Sequence, residues 1–276
     1  VRPLAELHAT ADKPVMTFPD TGDAAPNNRP EGDWAPVYKG ESFNLWEPDT
    51  GTYYAWASVE ALESHLFEKR KNQARIKTSA YFDLSEEIIS DRKTLNFRSC
   101  RLTHRKIARA TDRRTMIAAL VPPNTTCQDG APLLVFREGT KHDEAYLLGI
   151  LSSTILDWQM RRWVEKNVTF GIFGRLTIPV GTDAPAQKER VAEIAGRLAA
   201  VDDRYREWAD AVGVPVGSVG SASEKSGLLA ELDAVAAHLY GLDSTDLEVI
   251  WETFHTTNDH LPNLETVKSY FEEWQQ

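Results

Sequence analysis

Cysteine is scarce: Cys100 and Cys127 are the two in the chain, too few for a disulfide framework or a thiolate zinc site. Both are expected to be packing residues in a reducing compartment. No uninterrupted apolar run approaches the roughly 20 residues needed to cross a bilayer, and no charged-then-apolar leader opens the chain. A cytoplasmic protein without a membrane partner is the resulting expectation. The chain starts at Val1, which reads as a piece of something longer.

Catalytic signatures are also missing. Methyl transfer to an amino group needs a glycine-rich cofactor loop after a strand and an Asn/Asp-Pro-Pro-aromatic tetrapeptide, and neither is present. The nearest string, Val121-Pro122-Pro123-Asn124, carries its polar residue on the wrong side and is read as a strand terminator. Among the seven histidines, His255 and His260 are close in sequence but lack a third metal ligand. No Ser/His/Asp or Cys/His set can be argued from order. Pro48-Asp49 and Asp91-Arg92-Lys93 match a metal-dependent nuclease pattern formally. That pattern is degenerate, and surface charge explains the same residues.

What is present is a soluble, globular composition, 42% hydrophobic and 26% charged, with an uneven charge distribution. The net charge is -10, yet residues 69–114 hold 14 Lys or Arg against 5 Asp or Glu, and residues 161–180 add +3. Acid dominates residues 1–68 and 181–276. A basic centre between acidic flanks marks where a polyanion can dock.

Turn residues dominate positions 1–35, which read as a connecting arm. Aromatic strands joined by turns are expected between Trp34 and Trp56, then a helix over Ser58–Gln73. Phe97–Ala108 and Thr115–Val121 look like a hairpin. Leu133–Phe136 predicts a buried strand, Asp143–Lys166 a central helix, and Phe170–Val180 a strand. Helices follow over 186–212, 228–240, 246–255 and 264–274, with Gly241 as a stop and Ser244 as a cap. The fold class is therefore α+β: a mixed α/β domain over residues 36–182 and a helical C-terminal unit over 183–276.

On the expected hairpin, a period of two places Arg101, Arg105 and Arg109 on one face. Guanidinium groups grip phosphate or a guanine edge in two-pronged fashion, so such a row suits a DNA groove. A solvated charged face that discourages edge pairing is the plain alternative. Most of the eight tryptophans are expected in the core, with Trp46 the least certain because it sits in a turn-rich segment.

Several strings, taken in order, resemble the C-terminal target-recognition region of TaqI-like and type IIG restriction-modification adenine-specific DNA methyltransferases. They are Pro36-Val37-Tyr38-Lys39-Gly40-Glu41-Ser42-Phe43 with Trp46-Glu47-Pro48, Arg105-Lys106-Ile107-Ala108 with 113–119, 146–153 with Asp157-Trp158 and Arg161-Arg162, then 167–170, 176–179 and 231–242. The resemblance spans about Pro36 to His255. It implies a module that reads double-stranded DNA, with S-adenosylmethionine bound by an upstream methyltransferase domain of the same chain and no cofactor held here.

Charge and expected exposure nominate Arg98, Arg101, Arg105, Arg109, Arg113 and Arg114 for phosphate contacts, with Lys39, Arg162, Asn167 and Arg175 in support. Asn44 and Thr169 are added as polar base readers. Two other classes stay open: a protein-interaction module docking a methylase or translocase subunit, and a nuclease using Asp49, Asp91 and Lys93.

Overall fold

The computed structural model of the protein describes residues 1–254 and 261–275. His255 and His260 lie outside the described residues. Two compact units are formed: Val1–Ile107 with Ala118–Glu138, and Ala108–Ile117 with Gly139–Gln276. Unit boundaries thus fall elsewhere than at 35/36 and 182/183. The stretch 108–117 is lent by the chain of unit 1 to unit 2.

Among the described residues, unit 1 holds the strands: β1 (Arg2–Leu4), β2 (Trp34–Tyr38), β3 (Ala55–Ser58), β4 (Arg101–His104), β5 (Ala118–Val121), β6 (Thr126–Cys127) and β7 (Leu133–Val135). They form a four-stranded sheet ordered β1-β7-β4-β5 and a three-stranded sheet ordered β3-β2-β6. The α+β class is as expected. The expected arm, however, is structural: β1 pairs with β7 in the register Arg2↔Val135, and the Glu6 carboxylate is buried against Thr126. Helix α1 (Val59–Gln73) covers the β2–β3 pair, where Leu62 and Leu66 meet Val37, Ala55 and Ala57 in one buried cluster with Phe97. Helix α2 (Glu86–Ser90) follows.

The expected hairpin exists but is shorter, pairing Arg101↔Val121 through His104↔Ala118. Every residue of β4 and β5 is buried. Both faces of that ribbon are therefore unavailable to a groove. His104 sits fully buried there, and burial pushes its imidazole down to about 4, so it is neutral at physiological pH. Burial likewise pushes the Cys127 thiol up to about 12, consistent with a packing role.

Unit 2 is helical: α3 (Lys141–Ser152), α4 (Thr154–Arg161), α5 (Phe170–Phe173), α6 (Pro185–Ala199), α7 (Arg206–Val212), α8 (Ala222–Leu239), α9 (Ser244–Thr253) and α10 (Leu264–Glu273). Four expectations are corrected here. The helix read over 143–166 is broken at Ser153, whose hydroxyl accepts from Leu156 N and so starts a new helix. The strand read over 170–180 is replaced by the short α5, because Thr169 caps it and Gly171 and Gly174 weaken any strand. The 186–212 helix is divided by Asp202, whose carboxylate caps a tight turn at Arg204. Gly241 does end α8, with φ +68°, but Asp243 rather than Ser244 caps α9.

Close helix packing depends on Gly149 of α3: a Cβ there would sit 2.6 Å from Val191 Cγ1 of α6. Between α6 and α8, Arg190 grips Glu231 in two-pronged fashion at 2.7 and 2.6 Å. Helix α8 also supplies Asp233, fully buried, which accepts from Thr154 N (2.7 Å) and Thr154 Oγ1 (2.6 Å) and so caps α4 from outside its own chain segment.

Burial pushes the Asp233 carboxyl up from 3.8 to about 6. The folded protein therefore binds this proton more tightly than the unfolded chain. Its contribution to stability is complete below pH 3.8 and is lost as pH rises through about 6. Asp233→Asn keeps an acceptor for Thr154 N and removes the titration. Between pH ~7.5 and ~5, chemical denaturation should show wild type gaining about 1–2 kcal/mol relative to this variant; parallel curves would refute the assignment.

Candidate nucleic-acid interface

The nominated residues divide between the units. Lys39, Asn44, Arg98, Arg101 and Arg105 lie in unit 1, and Arg109, Arg113, Arg114, Arg162, Asn167, Thr169 and Arg175 in unit 2.

In unit 1 most of the cations are consumed internally. Arg101 is buried and donates to the carbonyls of Ser99 (2.8 Å), Pro122 (3.0 Å) and Thr125 (2.7 Å). Arg105, expected on the same face as Arg109, lies beyond the end of β4 and donates to Gly40 O and Phe43 O, both at 2.8 Å. Arg98 pairs with Glu63 and lies over the Phe97 ring. Lys39 pairs with Asp23 at 2.8 Å. Asn44 is exposed, in a turn where its backbone and that of Glu47 exchange hydrogen bonds. Trp46, in the same turn, is buried with φ 57°. A phosphate-binding role for Arg101 and Arg105 is thereby corrected, since each spends its guanidinium stapling loop carbonyls.

Unit 2 is arranged differently, and the difference starts at Asp157. This carboxylate is fully buried on α4 and accepts from Thr115 N (2.9 Å) and Met116 N (2.6 Å) through Oδ1. Its Oδ2 accepts from Arg161 Nε (3.1 Å) one turn along. Arg161 in turn donates to the carbonyls of Ala110 (2.9 Å), Asp112 (2.7 Å) and Arg113 (3.0 Å). Arg114 folds inward to Met116 O, Ser152 O and Ser153 O, so its expected phosphate contact is also corrected. Within the loop, Thr115 Oγ1 donates to Arg109 O, and Arg109 N donates to Asp112 Oδ2. Ala108 N reaches Lys166 O at 3.2 Å. Backbone groups of Ala108, Arg109, Ala110, Asp112, Arg113, Thr115 and Met116 are all held in this way.

The outcome is a rigid loop from which Arg109 and Arg113 stand exposed. The Lys166 contact sets this loop beside the segment that follows α4, where Val164 and Val168 are buried anchors. Before, between and after those anchors, Arg162, Trp163, Lys166, Asn167, Thr169, Phe170 and Arg175 are exposed. Arg162 lies 3.9 Å over the Trp158 ring centroid and Arg175 5.4 Å over that of Trp163. Asp112 and Glu165 are the acids of the two segments, and the Asp112 carboxylate is tied to backbone. Thr169 spends its hydroxyl oxygen capping α5, so it is a local cap as well as an exposed group. Lys166, Trp163 and Phe170 belong to this surface although sequence reasoning did not nominate them.

The other chemistries find little geometry. Asp49 accepts from Gly51 N and Tyr53 Oη, and the Asp91 side chain accepts from Lys93 N, each within its own turn. No group of three or more His, Cys, Asp or Glu side chains able to hold a metal occurs among the described residues. Pro122 O accepts from Arg101 and Thr125, and Asn124 takes a left-handed backbone with its N–H on Phe97 O, so the Pro-Pro string is a structural turn. No described helix is long and apolar enough to cross a membrane.

No family model and no curated protein matches this chain. Among solved structures it is similar to the type IIL restriction-modification enzyme MmeI in complex with DNA. The likeness covers 93% of this chain and 35% of that one, with 13% identity and a TM-score of 0.44. The chain thus spans about a third of that enzyme's length. At this level the likeness carries no function across.

Removing the Asp157 carboxylate strands two buried N–H groups and takes the paired charge away from Arg161 and Arg114. Asp157→Ala is expected to cost about 3–5 kcal/mol of stability and to speed amide exchange over 108–116. Asp157→Asn, keeping one acceptor oxygen, should cost about 1–3 kcal/mol. Denaturant titration with hydrogen-exchange mass spectrometry reads both, and slow exchange over 108–116 in the alanine variant would contradict the latch.

Proposed function

We propose that this chain is a duplex-DNA recognition module whose contact surface is the 108–116 loop together with residues 162–175. The observation that carries the reading is the latch. A protein of net charge -10 invests a buried aspartate and two arginines in fixing one loop, and that loop presents further arginines beside Arg162, Lys166 and Arg175. Holding cations in advance lowers the entropic cost of meeting phosphates. Arginine suits the task because its planar fork matches phosphate oxygens and the guanine edge.

Within this reading Arg109, Arg113, Arg162, Lys166 and Arg175 meet phosphates, and Asn167 reads a base edge. Unit 1 contributes a scaffold, with exposed Asn44 as its remaining nominated polar contact. On the motif resemblance alone, the proposal extends to a restriction-modification adenine methyltransferase of the TaqI-like or type IIG kind, with S-adenosylmethionine and catalysis supplied by another domain of a longer, cytoplasmic protein. Recognition without chemistry is the role left to this chain.

Affinity for duplex DNA should fall with salt at a slope of about -0.9 per neutralised phosphate. Arg109→Ala and Arg162→Ala should each reduce that slope by about one, whereas Arg105→Ala should lower thermal stability and leave the slope unchanged. Fluorescence anisotropy across a potassium chloride series measures all three. Unaltered slopes in the first two variants would remove the proposal, and absence of duplex binding would favour the protein-docking reading.

A further inference from the structure

One feature of the 162–175 segment is not explained by phosphate contact. The segment buries Val164 at 4% and Val168 at 1% exposure, so it is anchored, yet it leaves Trp163 and Phe170 each 47% exposed. Burying an aromatic ring gains more than burying a valine, so a fold selecting only for stability would reverse the choice. The rings are also not isolated: Arg175 lies over the Trp163 ring, Arg162 precedes it in the chain, and Lys166 and Arg109 belong to the same unit's exposed cationic surface. An apolar protein partner would meet uncompensated cations here. A nucleic acid satisfies both halves, offering phosphates to the guanidiniums and π-faces to the rings.

We propose that Trp163 is a stacking surface for an unpaired nucleobase, so that the chain prefers DNA with a locally opened step over fully paired duplex. Resting on the DNA-recognition reading above, the assignment gives the surface a preferred substrate class. Arg175 lies over one face of the indole, and the remaining exposed surface takes the base. Phe170 lies on the same segment and broadens the apolar contact. Stacking of this kind is tolerant of base identity, because every base has a π-face.

The test uses this chain with two fluorescein-labelled probes, a duplex of mixed sequence and the same duplex carrying one unpaired adenine. Wild type should bind the second about fivefold or more tightly, the lower end of what one stacked base contributes. Trp163→Ala should bring the ratio close to one, costing about fivefold more affinity for the probe with the unpaired adenine than for the paired duplex. Trp163→Phe, which keeps a ring, should retain a clear preference, and unchanged melting temperatures show that both variants are folded. A ratio of one in wild type overturns the stacking role while the salt-dependent duplex binding still stands. Equal loss of both probes in Trp163→Ala, or a ratio unchanged by that substitution, also overturns it. Failure to bind either probe overturns the recognition reading itself.

Discussion

The hydrogen bond from an arginine guanidinium to a backbone carbonyl is the interaction on which the architecture rests. Both units contain long irregular connections, and a carbonyl buried in such a connection has no ladder partner, so a side chain must supply the donor. Arginine does so with several donors in a fixed fork. Arg70 ties Ile89 and Asp91 to α1, Arg101 ties Ser99, Pro122 and Thr125 together, and Arg105 closes the turn at Gly40 and Phe43. In unit 2, Arg114 and Arg161 do the same for the 108–116 loop. The basic centre of the chain is therefore two populations. One holds loops in shape, and the other, smaller one faces solvent.

That division explains which parts of the site were legible in the sequence. Charge counting picked out the arginines of both populations, which lie between residues 69 and 114 or near Arg162 and Arg175. It could not separate them, since an arginine that staples carbonyls and one that awaits phosphate have the same one-letter signature. The period-two argument failed for Arg105 and Arg109 because β4 ends at His104, and for Arg101 because the strand is buried on both faces. Asp157 was legible in a different way. An acid among Ile155, Leu156, Trp158 and Met160 on an apolar helix must have specific partners, although nothing in the sequence says that they are Thr115 and Met116.

At the level of the fold, the mixed class, the hairpin, the Leu133 strand and the late helices followed from hydrophobic period and turn residues. Misplaced elements share one cause: local capping chemistry outweighed the period. Ser153 cut an apparently continuous helix, Thr169 and its glycines displaced a strand, and Asp202 divided another helix. The N-terminal stretch was misread as an arm because three-residue β1 has too few positions to show alternation. Its pairing partner, β7, lies more than a hundred residues away in sequence.

The loan of residues 108–117 to the helical unit has a kinetic consequence. Thr115 is made 42 residues before the carboxylate that holds it, and during synthesis it leaves the ribosome while α4 does not yet exist. Until then the segment is an open insertion within a hairpin, with the entropy of a loop still to be closed. The sheet of unit 1 and the helical bundle can each begin to form from contacts nearer in sequence. Arg109 and Arg113 thus acquire their fixed setting only after α4 and the segment to Lys166 have been made.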